Sequence, residues 1–492
     1  MPQVFADPRL PLENLTAKLK WKARNEGGLA RLEVKLEQAA FENQDATGTA
    51  SGTYLSRPGE PGDIDLQAHL SRASGTAVWR YMPLAVGRSV SDWLHTSILG
   101  GGSNDTTLRL KGDLKHFPFA DGSGVFEVKG KFQGATLSYA TSWPQIEQIN
   151  GELEFVGKRM LIKASQGDIY GVRLSEVKAE IADLDAKEEL IVITGHATGP
   201  TADFLRFVET SPVGNYIDHF TEDMSAAGNG QLQLKLSLPL RHLSATRTDG
   251  VFQFTSNQLT LDADLPPLTE VNGHLEFSGD GLKADKVRAL MLGSPLTVDV
   301  KTVGNGTVLI NADGSLNIAD LRKQYGHPLL DHLSGSSPWR GRVRVRKKNA
   351  EITIESRLQG ISSSLPEPFN KSASEVMPLR FERKLLDGGM GSSELALALQ
   401  DAFGIQVRHV QHLTVFDLCA VTCAQYEHAG FGPVWQLIEN ALLTPDRDHH
   451  VEVDGQDWRG HGSHVLVQGN SPASGHYRAI LAAHGIRVEP TG

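Results

Sequence analysis

Nearly the same seven-residue segment occurs twice in this chain, about 120 residues apart. The first copy, INGELEF, covers Ile149–Phe155, and the second, VNGHLEF, covers Val271–Phe277. The likeness extends further, because residues 124–155 align with residues 250–277 across a single four-residue gap. Each copy is predicted to form two strands, a Pro-containing corner and then another strand. Self-similarity at a fixed period is typical of architectures built from stacked supersecondary units. We therefore predict an array of similar units that continue one sheet, rather than separate globules.

A second repeated element is helical. Three segments, TAVWRYMPL, TADFLRFVETSPV and NIADLRKQYGHPL, each open on a Thr or Asn suited to cap a helix N-terminus. Each carries an arginine at the equivalent place and then a proline, which ends or kinks a helix. A second short helical run follows each proline, so bent helix pairs are predicted. The matched residues are Arg80, Arg206, Arg322, Pro83, Pro212 and Pro328.

Strict alternation of apolar and polar residues follows each helical element. In GQLQLKLSL, four leucines alternate with Gln231, Gln233, Lys235 and Ser237. A period of two predicts a β-strand with one apolar and one wet face. Fifty glycines supply tight turns between such strands. The repeated unit is therefore predicted to be a run of amphipathic antiparallel strands with one helical insert.

The chain is predicted to consist of three such units and a different tail. We predict repeat unit 1 over residues 1–120, unit 2 over 121–245 and unit 3 over 246–385. Beyond the Gly/Ser-rich LLDGGMGSS the alternation fades, and residues 386–492 contain nine of the eighteen histidines and both cysteines. This tail is interpreted as a divergent domain. A splice or a shifted reading frame would produce the same pattern, and both alternatives stay open.

Composition limits the classes of function. The formal net charge is -10 and the pI is near 6.0, which disfavours a nucleic-acid binder. No stretch of about 18 apolar residues exists, so no membrane-spanning helix is expected within this sequence. The first residues lack a basic and then apolar leader, so no signal peptide is expected here either.

One basic cluster, RGRVRVRKKN, stands out in the third unit. Its alternation places Arg342, Arg344 and Arg346 on one face of a strand, and Val343 and Val345 on the other. This pattern favours a solvated strand face, with contact to anionic lipid or phosphate as the alternative.

Motifs of common catalytic sites are absent, including a P-loop, a G-x-S-x-G elbow and an H-E-x-x-H helix. Glu152 and Glu154 share a strand face, but the second copy has His274 and Glu276 in the same register. A catalytic pair should occur once, in a cleft, so a solvated face is the better interpretation. The segment GGGSND at 100–105 is interpreted as a helix C-cap and turn. No enzymatic activity is expected.

The tail offers a weak candidate for a metal site. His409 and His412 precede Cys419 and Cys423, but zinc sites usually have tighter, paired spacing. No metal site and no cofactor are expected.

A long sheet with one apolar face must either pack that face against other elements or bind an apolar ligand with it. One helix pair per roughly 120 residues is too little to cover every strand, so we predict a mainly β fold whose antiparallel sheet curls into an apolar groove. Each CH2 group removed from water is worth about 0.8 kcal/mol, so a C16 acyl chain has about 12 kcal/mol at stake. Repetition then makes sense, because a sliding lipid must meet the same wall in every unit. The predicted groove-lining residues are Leu32, Val34, Leu36, Leu108, Leu110, Leu153, Phe155, Leu232, Leu234, Leu236, Leu238, Leu259, Leu261, Leu275, Phe277, Val343 and Val345.

Several short motifs also carry a resemblance to a known family. They are R-Y-M-P at Arg80–Pro83, W-L at Trp93–Leu94, L-x-G-x-L-x-x-F-P-F at Leu110–Phe119 and W-P-x-I at Trp143–Ile146. In this order they resemble the YhdP branch of the AsmA-like proteins of Gram-negative envelopes. The match covers about residues 8–385 and looks like the middle of such a protein.

The resemblance implies a periplasmic bridge that moves phospholipid between the inner and outer membranes along a curled β-groove, supporting the outer-membrane barrier. Its implied partners are phospholipid acyl chains and the two membranes, without nucleic acid or enzymatic activity. Family members are longer and begin with an inner-membrane helix, so an anchor outside this sequence is expected. No catalytic or binding motif carries over.

Two alternatives from other classes stay open. A scaffold for assembly of outer-membrane components would use the sheet edges and the polar face, and could fill the apolar face with its own side chains. A carbohydrate-active β-solenoid would need clustered aromatics and paired acids on one exposed face. Aromatic residues are only 7% and scattered, which ranks this alternative last.

Overall fold

The computed structural model describes most of the first 385 residues and parts of the tail. Side chains are described up to residue 383. The described ranges are 12–26, 29–217, 219–261, 266–326, 328–346, 349–365, 370–385, 392–399, 403–410, 448–453, 456–461, 464–468 and 487–490.

The fold is mainly β, with strands making up 64% of the structure, and this confirms the predicted class. The strands are β1 Asn14–Glu26, β2 Leu29–Glu42, β3 Ala46–Arg57, β4 Glu60–Ser74, β5 Ile98–Asp113, β6 Val125–Leu137, β7 Ile146–Val156, β8 Arg159–Ile169, β9 Val172–Ile181, β10 Leu190–Pro200, β11 Ser225–Pro239, β12 Arg247–Thr260, β13 Leu268–Ser278, β14 Gly281–Met291, β15 Ser294–Val303, β16 Thr307–Asn317, β17 Leu333–Arg346, β18 Asn349–Ser356, β19 Ile361–Ser363, β20 Leu379–Leu385, β21 Ser392–Leu399, β22 Phe403–Val410, β23 Asp448–Val453, β24 Gln456–His461, β25 His464–Gln468 and β26 Arg487–Pro490.

Helices are few and short. The α-helices are α1 Arg88–Ser97, α2 Thr201–Thr210, α3 Val213–Tyr216 and α4 Ile318–Tyr325, and the 3-10 helices are Gly75–Tyr81, Leu84–Val86, Leu114–His116, Leu243–Ala245, Gly304–Gly306 and Pro328–His332.

The chain divides into two compact units. The first contains the residues up to Tyr216, together with Asn229–Gln253 and Glu276–Gly279. Within it, strands β1 to β11 pair in sequence order, each antiparallel to the next. Such a meander needs only short connections between neighbouring strands. The division into three repeat units stays a prediction.

The second unit contains Ile217–Gly228, Phe254–Leu275 and the chain from Asp280 onward. Strands β14 to β18 pair in order and are followed by β20, while β19 pairs with the start of β17. The ladder continues through β21 and β22 into β23, β24 and β25. Strand pairing therefore goes on past residue 386, where the sequence predicts a change of domain, and the domain assignment itself stays a prediction.

The predicted alternation is present in the strands. In β11 the leucines at 232, 234, 236 and 238 are half-buried, whereas Gln231, Gln233 and Lys235 are exposed. In β17 the arginines at 340, 342, 344 and 346 are exposed and Val345 is buried. Period-two patterning thus separated the two faces of these strands correctly.

The three helical inserts follow β4, β10 and β16, six strands apart along the chain. The first is a 3-10 helix followed by α1, rather than a pair of α-helices. Of the three predicted caps, Asn317 fills its role, because its side chain accepts a hydrogen bond from the backbone N–H of Ala319 at 2.9 Å. Thr76 and Thr201 instead lie inside their helices, which Ser74 and Pro200 precede.

Two local expectations were wrong for the same reason. The GGGSND segment forms the early part of β5, with several register shifts against β6, rather than a turn. The two strands predicted before the Pro-containing corner are one strand, β6, with irregularities between Phe132 and Leu137. In both places β-bulges absorb the glycines that suggested a break.

Candidate functional site: an apolar face of the sheet

Strand register brings apolar residues of the first unit into one unbroken row. Directly opposed residues of an antiparallel pair lie on the same face of the sheet. The row takes one residue from each of β1 to β11, in order Ala17, Ala39, Ala50, Ala68, Leu108, Val128, Phe155, Met160, Ile181, Ile191 and Leu238. Every member is apolar, so a continuous apolar surface crosses eleven strands.

Further rows lie beside it on the same face, called the apolar face below. One joins Leu19, Leu36, Gly52, Leu66, Leu110 and Phe126, and another joins Leu153, Ile162, Ala179, Ile193 and Leu236. Val34 lies opposite Trp21 and Tyr54, and Leu32 lies opposite Ala23. Leu232 and Leu234 lie opposite Ala197 and Gly195. The eleven residues predicted between Leu32 and Leu238 therefore share one face.

The dimensions of this face suit an extended apolar ligand. Ten spacings of about 4.8 Å between eleven strands give about 48 Å along the row. Along β11, the leucines from 232 to 238 cover about 20 Å. A bilayer core of about 30 Å contains two leaflets, so one acyl chain reaches about 15 Å. The row is therefore longer than one extended acyl chain.

Exposure of the apolar face differs along the first unit. Most of its leucines are half-buried, but Leu32, Leu19 and Trp21 on β2 and β1 are 39%, 47% and 67% exposed. The apolar side chains of β1 and β2 are thus more exposed than the half-buried leucines of β11.

Aromatic rings on the apolar face lie directly over glycines of neighbouring strands. A Cβ atom added to Gly230 would lie 2.1 Å from Cζ of Phe252, and one added to Gly151 would lie 2.8 Å from Cζ of Phe132. The predicted residue Phe277 lies over Gly250 in the same way, at 2.2 Å. Glycine at these positions leaves room for the neighbouring ring, because a Cβ atom there would overlap it.

Sequence reasoning missed Phe132 and Phe252 as members of this face. The contact depends on the register of two strands, so the only local signal is a glycine in an alternating strand, which marks a close approach. In the second unit Trp339 repeats the arrangement over Gly314 and Gly341.

Apolar groups also lie at both strand ends of this face in the first unit. At the end that contains the inserts, Phe204 of α2 packs edge-to-face on Phe252, with ring centroids 5.0 Å apart. Trp143, from the corner between β6 and β7, contacts Phe207 of α2 at 6.0 Å. At the opposite end, the loop after β5 folds Phe119 onto the sheet, where it is 5% exposed. Aromatic side chains thus border the apolar face at both ends of its strands.

The opposite face, called the polar face below, is covered with ion pairs in the first unit. Lys129 contacts Glu127 at 2.9 Å and Glu154 at 3.5 Å, which agrees with a solvated-face interpretation of Glu154. Arg159 and Lys178 both contact Glu180, at 2.7 and 2.6 Å. The hydrogen bonds from Lys178 and Arg159 lower the pKa of Glu180.

The predicted residues of the second unit have different surroundings. Leu259 and Leu275 pack against a buried cluster that includes Val271, which is 1% exposed. Val343 lies between Ile310 and Ile352.

Part of the apolar face of the second unit is filled by its own side chains. Val345 is only 6% exposed, and Leu296, in the Val271 cluster, is 5% exposed. Leu261, just after the end of β12, is half-buried.

The tail residues His412, Cys419 and Cys423 lie outside the described residues, and the side chain of His409 does too. In the described part of the chain, no group of three or more potential metal ligands comes together. Nor does any helix in that part have the length and apolarity needed to cross a membrane.

The fold and this site define a class of mainly β proteins, in which successive antiparallel strands share one apolar face and short helical inserts recur at the strand ends. The sequence profile of the YhdP protein family matches residues 1–413. This chain belongs to the YhdP family, which confirms the resemblance seen in its motifs.

One curated relative is the intermembrane phospholipid transporter YhdP of Escherichia coli strain K12. It is 26% identical to this chain over 356 residues, which cover 70% of the chain and 27% of that relative. The chain thus corresponds to about a quarter of the relative's length. No solved structure matches the chain.

Proposed function

We propose that this chain is a segment of a lipid-transfer protein, and that its apolar face carries the acyl chains of phospholipids between two membranes. The observation that carries the proposal is the unbroken row from Ala17 to Leu238. A lipid that leaves a bilayer exposes its chains to water at about 0.8 kcal/mol per CH2 group. A continuous apolar row lowers this barrier over its whole length, whereas one polar member would interrupt the path.

Location and anchoring belong to the same proposal. The E. coli relative is named for transfer between membranes, and the chain covers only a part of it. We propose a position in the periplasm, an inner-membrane anchor supplied by the rest of the protein, and a role in keeping the outer-membrane barrier intact. The protein acts as a binding surface and not as an enzyme, since an acyl chain is held by apolar contact alone.

Lipid co-purification tests the proposal. The full chain, expressed in a Gram-negative periplasm, should retain phospholipid that native mass spectrometry and lipid extraction detect. The double variant Leu234→Asp/Leu236→Asp places two charges on the apolar face and should lose the bound lipid. The matched control, Gln233→Asp/Lys235→Asp, places the same residues on the polar face and should retain it.

The outcomes distinguish the proposal from its main rival. Equal loss of lipid in both variants, or a folded wild-type chain without lipid, contradicts a lipid-carrying face and favours an envelope scaffold. Far-ultraviolet circular dichroism identifies variants that fail to fold, and Leu234→Asn then serves as a milder replacement, because it is polar without a charge.

A further inference from the structure

We propose that the polar face of the second unit contains a binding surface for the headgroups of anionic phospholipids, formed by Arg342, Arg344 and Arg346 of β17. This surface lies on the face opposite Val343 and Val345, so the inference does not depend on lipid transport along the apolar face.

These arginines form a regular, exposed row. Alternate residues of an antiparallel strand are about 6.8 Å apart. Together with Arg340, the three guanidinium groups extend over about 20 Å of one strand face. All four side chains are exposed, so their charges are accessible to a ligand from solution.

The three arginines differ from Arg340 in their partners. Arg340 forms an ion pair with Asp313 at 3.2 Å. Arg342, Arg344 and Arg346 form no ion pair with any residue that the structure describes. Their donor groups therefore remain available for an external anion.

The strands on either side supply little negative charge. Arg342 lies between Asn311 and Thr353, both neutral. Arg344 lies between Leu309 and Glu351, and Glu351 is the one acidic residue directly opposite the three arginines on β16 and β18. Two further acids of this face, Asp299 and Glu382, lie one strand further out on either side. The direct cross-strand neighbours of the row are thus mostly neutral, although the whole chain has a net charge of -10.

The first unit shows that this is not the general state of the polar face. There Arg109 pairs with Asp65, Arg159 with Glu180, and Lys129 with two glutamates. Cations on a solvated sheet face are normally placed opposite acids, because opposite charges across strands stabilise a sheet. A row of three arginines that has one acid opposite it, and that makes no ion pair within the described part of the chain, departs from that arrangement.

The chemistry of the row fits phosphate groups displayed on a flat surface. Guanidinium is a donor-only group that binds phosphate oxygens in a bidentate manner. The direct cross-strand neighbours include no aromatic residue, and aromatic anchors usually dominate protein–protein contacts. Clusters of four to eight basic residues bind anionic lipid surfaces, and β17 exposes four arginines at alternate positions from 340 to 346. An anionic lipid surface therefore fits better than a protein partner.

Vesicle flotation with the full chain tests this inference. The chain should float with phosphatidylcholine vesicles that contain phosphatidylglycerol and much less with pure phosphatidylcholine, and added salt should weaken the binding. The triple variant Arg342→Gln/Arg344→Gln/Arg346→Gln should lose about fivefold in binding per arginine, on the order of 100-fold in total. The matched triple Arg109→Gln/Lys129→Gln/Arg159→Gln removes the same charge from paired positions and should change binding by less than about threefold.

Several results would overturn the inference. Equal binding to both kinds of vesicle would assign the interaction to the apolar face. Equal loss in both triple variants would show a response to net charge alone. Displacement by millimolar inorganic phosphate would indicate a site for free anions and not a lipid surface. Circular dichroism and thermal melting identify a misfolded triple variant, and the single variant Arg344→Gln, expected to lose about fivefold, then decides.

Discussion

The side-chain oxygen of Asn150 accepts a hydrogen bond from the backbone N–H of Gly134 on the neighbouring strand, at 2.9 Å. Gly134 has a φ of 60° and lies where the register of β6 against β7 shifts. The second copy repeats this contact, since Asn272 accepts from the N–H of Ser256 at 3.0 Å, and Ser256 has a φ of 49°. In both copies the Asn-Gly segment thus holds a residue of positive φ in the preceding strand, and in the first copy this residue lies in a β-bulge.

Removing this contact should destabilise the first unit. In Asn150→Ala the N–H of Gly134 loses its acceptor, so we expect the free energy of unfolding to fall by about 1–2 kcal/mol. Chemical denaturation measures the change. Asn150→Asp keeps an oxygen acceptor and should retain most of the stability. An equal loss in both variants would show that the oxygen is not the important group.

The close contact between the ring of Phe252 and Gly230 leads to a second prediction. In Gly230→Ala the new methyl group would lie 2.1 Å from Cζ of Phe252, so the ring must move. We expect a destabilisation of about 1–3 kcal/mol, as for other overpacked positions.

Gly279 provides the matched control, because a Cβ added there meets no atom within 4 Å. Gly279→Ala should leave the free energy of unfolding, measured by chemical denaturation, unchanged within about 0.5 kcal/mol. The double variant Gly230→Ala/Phe252→Leu should recover part of the loss. If Gly230→Ala alone is neutral, the ring does not lie where the structure places it.

Stability at acidic pH should depend on Glu37. Hydrogen bonds from Lys20 and Lys18 lower its pKa from 4.5 to about 2. Because the folded pKa is below the unfolded value, the carboxylate stabilises the fold above about pH 4.5, and this contribution disappears as the pH falls towards 2. The difference in melting temperature between wild type and Glu37→Gln should therefore be largest at pH 7, shrink below pH 4.5 and vanish only near pH 2. A difference that stays constant with pH would contradict this assignment.

Lys371 is a buried cation held by backbone oxygens. It is 4% exposed, and its Nζ donates to the carbonyls of Leu358, Ser372 and Ile361. Burial lowers the pKa of Lys371, but the three acceptors explain why the group is tolerated. Lys371→Met should remove three hydrogen bonds from a charged donor and cost about 1–3 kcal/mol in denaturant unfolding, although the carbonyls of Leu358 and Ser372 keep backbone donors from Ile361 and Glu375. The same change at exposed Lys323 should cost less than about 0.5 kcal/mol, and a similar cost at both positions would refute this account.

Period-two patterning predicted correctly which face of a strand a residue lies on where apolar and polar residues strictly alternate. It gave no answer where apolar residues are consecutive. The leucines of β11 were assigned correctly from sequence. In β8, Met160, Leu161 and Ile162 are all apolar, so their periodicity indicates no face. The register places Met160 opposite Phe155 on the apolar face and Leu161 opposite Glu154 on the polar face.

Contacts between strands could not be predicted for a related reason. A ring lies over a glycine only when two strands pair in one particular register, and a single bulge changes that register. The helical inserts show the same limit. Their positions were visible in the sequence, but the packing of Phe204 on Phe252 depends on where β10 to β12 bring the two side chains.

The sequence by itself determined the mainly β class, the repeated inserts and the two-faced strands, because these follow from local patterns with a period of two and from prolines and glycines. Only the tertiary structure decided that eleven separate apolar faces join into one row, and that three arginines of β17 form no ion pair with the residues that the structure describes. Both outcomes depend on which residues lie opposite each other, and strand register is set by bulges and cross-strand packing over the whole sheet.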